Sequence, residues 1–550
     1  MRRAMIWAAT VLSLVAAAFA VESKNPRNIA IIGAGAAGSS TAYHLQKYAE
    51  EDGVAVNITI FEKTDRIGGR TLTINPFGNP SDRVELGASI FVEINAILYN
   101  ATKEFGLETT GFGDGDRIMA IWDGDKFVLE IDQSLPSWRI VLKIFWKYGV
   151  RGPVNANRLM KATIAKFLNL YQAPYFPFRS LTERANELDL LEATSLTGEE
   201  FLRKNNVADI YAHDIVQAST RVNYASNLAH IHGLDTMVSM APEGAMSVIG
   251  GNWRIFDKMV SKSGAAVAFN TSVTSIALDQ NKDSASATPK YSLKTRVSTS
   301  EAANDESYPA LFDHVVIATP YQFSDIKAAD GLLQQPIDEI PYIKLHVTIF
   351  ASPFSFSPAF FNFSSGTRVP DTVLTTLADG DVPTSGVQGA GKAGFYSIST
   401  IGRAFNPKTG KLEYLYKIFS PEKVTADFLS SLLGVTIPKD FTGETSTGGE
   451  GDSHVVEPIS WYYPHVFYSY PKAYPRVTFQ DPIIRDGLYY TSGMDSFIST
   501  METNALMGMN VARLIVDDIS DAVGGGAEPS KGEHSLAQDD QQPHHGDEEL

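Results

Sequence analysis

Arg27–Ile32 (RNIAII) is a short apolar run rich in β-branched residues, the pattern of a strand buried on both faces of a parallel sheet. A helical pattern follows over Ser39 to Glu50, and a second strand, Val56 to Phe61 (VNITIF), ends at Glu62. Strand, helix and strand at this spacing predict a βαβ unit. Further along, Gly244 to Asn252 leads into a helix, and Ala266 to Ile276 reads as strand, turn and strand. Asp279 to Ser307 reads as hairpin or loop, Asp313 to Pro320 (DHVVIATP) as a buried strand with a turn, and 321–470 as a mixed block of strands, aromatics and loops. Gly487 to Asp518 predicts strand, glycine-containing turn and helix, and beyond Val523 the chain turns Gly-rich, then acidic, the composition of a disordered tail.

One segment stands apart. Between Asp132 and Glu183 there is no acidic residue but eight basic ones, and Arg139, Lys143, Lys147 and Arg151 recur every four positions with Trp138, Val141, Leu142, Phe145 and Trp146 between them. The spacing predicts a basic amphipathic helix within 136–166. The reading adopted is a helix packed on its own domain with the basic face in water; the alternative is peripheral contact with an anionic membrane.

Composition narrows the function classes. A chain of 550 residues with formal charge −17 has room for two or three domains and is a poor partner for nucleic acid. Arg2 and Arg3, the apolar stretch Met5 to Phe19 and Ala18-Phe19-Ala20 read as a cleaved secretory signal over 1–20. Sequons at Asn57, Asn100, Asn270 and Asn362 agree with a lumenal route. With no cysteine there is no disulfide framework and no thiolate metal site, and no metal is expected.

The first chemistry-bearing motif is Gly33-Ala34-Gly35-Ala36-Ala37-Gly38 between strand and helix. Gly33 permits the turn, Gly35 lets backbone approach a pyrophosphate, and Gly38 lets the helix close on the sheet, while Ala36 and Ala37 open its N-terminus toward the phosphates. Glu62, followed by Lys63, is placed to meet the adenosine ribose. NAD would satisfy these features equally well. Downstream, Arg66-Ile67-Gly68-Gly69-Arg70-Thr71 resembles the second glycine motif of the flavin amine oxidase and phytoene desaturase superfamily. Gly87-Ala88, Val273, Thr319 in the A-T-P strand end, Gly493 in the late turn, and Met501 and Glu502 at the following helix also match that pattern. The resemblance implies an α/β fold, a Rossmann-type FAD-binding domain of the glutathione-reductase/amine-oxidase kind with a mixed α+β substrate domain, and FAD as cofactor. The FAD domain is expected to be discontinuous (27–90, 245–320 and 471–520), with 91–244 and 321–470 as substrate domain and 524–550 as tail.

VELGASIF at 84–91, Gly250-Gly251-Asn252, Tyr342 to Thr348, Trp461-Tyr462-Tyr463-Pro464 and Tyr489 to Asn510 resemble the prenylcysteine oxidase (prenylcysteine lyase) family. That resemblance implies oxidative cleavage of a prenylcysteine thioether, with oxygen as acceptor, to prenyl aldehyde, cysteine and hydrogen peroxide. The C1–H bond adjoins both sulfur and an alkene, so hydride loss leaves a cation stabilised by both. Lys344, His346 and Thr348 share one strand face, and Lys344 and His346 are the candidate catalytic residues; His465, Tyr462 and Tyr463 are secondary. Arg221, Arg368 and Arg403 are candidates for the substrate carboxylate. Competing functions are an amine oxidase or desaturase-like enzyme and a non-catalytic FAD-binding lumenal protein. The family suggests lysosome or vacuole; the terminal Asp547-Glu548-Glu549-Leu550 approximates an ER retrieval signal, and secretion is the third destination. Oligomeric state stays open.

Overall fold

The computed structural model describes residues 26–111, 117–241, 244–279, 290–298, 304–333, 336–439, 441 and 457–524. The signal segment, residues 280–289 and 299–303 of the polar stretch, and the acidic tail lie outside the described residues.

The central layer is a six-stranded sheet. Its first two strands, β1 (Arg27–Ile32) and β2 (Val56–Phe61), run parallel in full register and flank α1 (Ala36–Glu51) in sequence. His314–Ile317 pairs parallel on the other side of β1, followed by Leu488–Tyr490, and Ala266–Ala268 closes the far edge beside β2. The period of two decides the layers above and below. Ile29 and Ile31 face a helical layer that includes α1, Trp253–Ser263 and the C-terminal helix Met501–Gly524. Ala30 and Ile32 face Val273, Ile276, Tyr291 and Leu293 of a small four-stranded sheet. That sheet also takes in Lys327–Ala328, paired with Ser275–Ile276, so it draws on a strand beyond residue 320.

The second body is a seven-stranded, mostly antiparallel sheet built from 118–132 and 342–471. Tyr342–Ser352 lies between Trp461–Pro471 and Lys411–Ser420. A helical lobe over 137–239 completes the molecule. It is joined to the helical layer of the six-stranded sheet through a shared core containing Phe167, Tyr171, Phe178, Phe497 and Met501. Buried Asn510 fixes the junction, accepting from Phe178 N at 2.7 Å and donating to Phe178 O at 2.8 Å. The basic segment is two helices, Ser137–Tyr148 and Arg151–Leu168, because Gly149 at φ 68° ends the first in the left-handed region.

Candidate active site

A cavity of about 630 Å³ runs from the glycine loop to the seven-stranded sheet. Sequence-named residues in its wall are Gly33, Gly35, Ala36, Ala37, Glu62, Lys63, Gly68, Gly69, Arg70, Gly87, Ala88, Val273, Thr319 and Met501. The two glycine motifs are strapped together: Gly68 N donates to Ala34 O at 2.9 Å, and Ala34 N donates to Glu62 Oε2 at 2.8 Å. Gly69, at φ 56°, faces Gly35, and a Cβ there would lie 3.0 Å from the Gly35 Cα. The two bare backbones thus pack in direct contact at the cavity wall, an approach that side chains would prevent. The N-cap of α1 is Gly35, which offers no capping side chain, so the helix dipole and first N–H groups are left to a ligand. These features fit a dinucleotide pyrophosphate.

The Glu62 carboxylate is engaged within the protein. Its Oε1 accepts from Thr64 N at 2.9 Å and Thr64 Oγ1 at 2.7 Å, leaving free acceptor capacity mainly on Oε2. The carboxylate therefore holds the loop first and has little left for the ligand.

Three of the named residues lie elsewhere. Gly38 sits under the loop, where a Cβ would come 1.9 Å from Gly33 O, so its role is packing alone. Gly493 packs on Gln480, with 2.3 Å available between a Cβ and that carbonyl oxygen; Ser492 lines the cavity in its place. Glu502 turns away, accepting from Ile97 N at 2.9 Å and Leu98 N at 3.0 Å to cap the helix Ala96–Glu104. Burial pushes its carboxyl up to about 7. The stability this proton confers is fully present below pH 4.5 and lost as pH rises through about 7. In paired melts, wild type is expected to lose about 3 kcal/mol relative to Glu502→Gln across that window. A difference independent of pH would contradict the assignment.

The candidate catalytic pair also needs correction. Leu345 and Val347 face the cavity, so Lys344 and His346, on the alternate face of the same strand, point off it; Lys344 is exposed. The cavity histidine is His465, opposite Val347 in register and 4.2 Å from the Phe467 ring. Burial first, and Arg66 second, depress its pKa, so it is neutral at pH 7. Arg221 is no substrate clamp: fully buried, it donates to Thr375, Asn227 and the Gly389 and Ala390 carbonyls. Arg368 and Arg403 line neither this cavity nor its neighbour.

Sequence reasoning gave no role to Asp495 or Lys417. Asp495 is fully buried and receives Tyr342 Oη at 2.6 Å, Ser499 Oγ at 2.8 Å, Asn504 Nδ2 at 3.1 Å and Arg70 at 3.4 Å. Burial opposes its charge, but Arg70 and the other donors outweigh that and hold the carboxyl below the usual range. It ties the second glycine motif to the turn before the C-terminal helix. Asp495→Ala is expected to lower the unfolding free energy by about 3 kcal/mol, read by urea titration. Lys417 donates to Glu85 O at 2.9 Å and Ser89 Oγ at 3.1 Å, beside the Gly87-Ala88 wall. Burial pushes it down to about 8. Its sequence signal was a lone lysine between Leu415 and Phe419 on the inward face of a strand.

A second chamber of about 220 Å³ adjoins the first and shares Ala88, Tyr470, Ser499, Thr500 and Met501 with it. Its own walls are mainly apolar: Phe91, Val92 and Leu98, then Ile164, Phe167 and Tyr171 of the helical lobe, then Val238 and Ile498.

Fold and site together define a dinucleotide-cofactor protein with an amine-oxidase-like fold. Among solved structures the chain is similar to cyclohexylamine oxidase from Brevibacterium oxydans (TM-score 0.53, 14% identity, 90% of this chain and 100% of that one). It is also similar to a fatty acid isomerase from P. acnes (TM-score 0.55, 14% identity, 90% and 99%). The chain belongs to the prenylcysteine lyase family, whose model matches residues 131–524, while a Rossmann-like NAD(P)-binding model matches 31–105. It is 27% identical to the farnesylcysteine lyase of Arabidopsis thaliana over 519 residues, 90% of this chain and 89% of that one. To prenylcysteine oxidase 1 of Bos taurus it is 26% identical over 504 residues, covering 89% and 88%. It is an FAD-dependent oxidase.

Proposed function

We propose that this enzyme oxidises the thioether of farnesyl- or geranylgeranyl-cysteine, releasing prenyl aldehyde and cysteine. The observation that carries the reading is the junction of the FAD cavity with an apolar side chamber at Ala88, Ser499–Met501 and Tyr470. FAD, when bound, supplies the hydride acceptor, and its reoxidation by oxygen yields peroxide. The prenyl chain lies in the side chamber, which brings C1 to the shared wall. Water adds at C1 after hydride loss, the proton it releases passes to solvent, and the hemithioacetal collapses to aldehyde and thiol. Lys417 holds the Glu85–Ser89 strand end that forms the wall and acts as a positioning residue.

The test is anaerobic bleaching of the purified yellow holoenzyme. Farnesylcysteine and geranylgeranylcysteine are expected to bleach it, and a panel of amines is not. Bleaching by amines alone would assign amine oxidation, and no bleaching by any of these would leave a binding protein.

The same reading places the protein in a secretory-pathway lumen, the lysosome or vacuole first. Asn57, Asn100 and Asn362 are exposed, which supports glycan attachment at three of the four sequons. Protein from a eukaryotic secretory host is expected to lose mass on peptide N-glycosidase treatment; an unchanged mass would count against the lumenal route.

A further inference from the structure

The helix Ser137–Tyr148 is packed the opposite way from the adopted sequence reading. At roughly 100° per residue it has three faces. Ile140, Ile144 and Tyr148 form one, and the inner pair, Ile144 and Tyr148, belong to a core shared with Val128 and Ile131 of the sheet edge. Arg139, Lys143 and Lys147 form the second, of which Lys143 donates to Glu130 O at 2.5 Å and Lys147 pairs with Asp214 at 2.9 Å. The third, Trp138, Val141, Leu142 and Trp146 around half-buried Phe145, faces outward. Trp146 is 90% exposed, Trp138 62% and Leu142 59%. Leaving two tryptophans in water is costly for a helix two of whose three charged side chains fold back onto the protein, the third, Arg139, lying over the Trp138 ring.

The next helix supplies the complementary charge. Arg151, Val154, Arg158 and Lys161 share its outward face, and the three cations make no ion pair among the described residues. In a chain of net charge −17, this is a local cationic surface bordering an apolar one. The inward face of the same helix carries Ile164 and Phe167 into the wall of the side chamber.

We propose that this surface docks on an anionic phospholipid bilayer, with Trp138, Leu142 and Trp146 inserted among the acyl chains and Arg151, Arg158 and Lys161 at the headgroups. Among the described residues no helix is long and apolar enough to cross a membrane, so the contact is peripheral. Docking sets one wall of the side chamber beside the lipid from which an isoprenoid substrate departs. This last step rests on the thioether reading; docking itself does not.

The experiment is flotation of holoenzyme with phosphatidylcholine vesicles, with and without phosphatidylserine. Wild type is expected to float with the phosphatidylserine vesicles and to be released by high salt. Leu142→Ser with Trp146→Ser should weaken that binding by about tenfold or more, as should Arg158→Glu with Lys161→Glu. Bleaching by detergent-dispersed substrate should stay at the wild-type rate in both. Wild type that stays down with both vesicle types, or an apolar-face variant that floats as before, overturns the proposal. So does a dimer that dissociates in the Trp146 variant, which would assign the face to a second copy of the chain. Because flotation needs no turnover, a failure of the thioether reading shows separately, in the bleaching assay.

Discussion

Gly38→Val and Gly69→Val proteins are expected to purify colourless. At residue 38 the added Cβ would lie 1.9 Å from the Gly33 carbonyl oxygen, a backbone atom with no room to move. Relief requires α1 to lift from β1, which carries its N-terminus away from the phosphate position and opens the Ala37 face of the core. Residue 69 tests the cradle more locally. Its Cβ would stand 3.0 Å from the Gly35 Cα, and φ 56° is a conformation a β-branched residue strongly resists. The first variant should lose flavin and also packing energy. The second should lose flavin and chiefly the ligand-linked stability, about 3 kcal/mol for a cofactor present at about a hundred times its Kd. The ratio of flavin to protein absorbance, with thermal melts of both variants, separates the effects. A yellow Gly69→Val protein would show that the facing glycines are not the pyrophosphate cradle.

That prediction rests on a region legible from sequence. β1, the glycine loop, α1, β2 and Glu62 are local in the chain, and each residue type has one dominant physical reason to be where it is. The same holds for the strand at 314–317 and the turn into the C-terminal helix. Long-range facts were not legible. That Lys344 and His346 share a face followed from periodicity, but which face meets the cavity is set by pairing with Trp461–Pro471, more than a hundred residues away. Glu502 reads as a helix-start acid near a ligand. Only the docking of Ala96–Glu104 reveals that it caps a different helix. The basic segment failed for another reason: pattern gives the faces of a helix, not the one that is buried when two of them are apolar. Lys143 and Lys147 found partners on the protein, and the tryptophans were left outside.

The side chamber yields the other large effect. Val238 is part of its wall, and Val238→Trp puts an indole into a space of about 220 Å³. A farnesyl group of about 15 carbons gains on the order of 0.8 kcal/mol for each carbon it buries. Excluding four of them forfeits about 3 kcal/mol, or roughly a hundredfold in kcat/KM. The loss should fall on KM first, because chain burial is shared by ground state and transition state. Flavin content should be unaffected, since Val238 lines only the chamber and not the FAD cavity. A cysteine thioether bearing a single isoprene unit does not reach the blocked region and should be oxidised at close to the wild-type rate. The ratio of the two substrates' kcat/KM is therefore the diagnostic quantity. Equal losses for both would mean that the indole has disturbed the Met501 wall. No loss for either would place the prenyl chain elsewhere, along the aromatic strand Trp461–Pro471 that forms the far side of the FAD cavity.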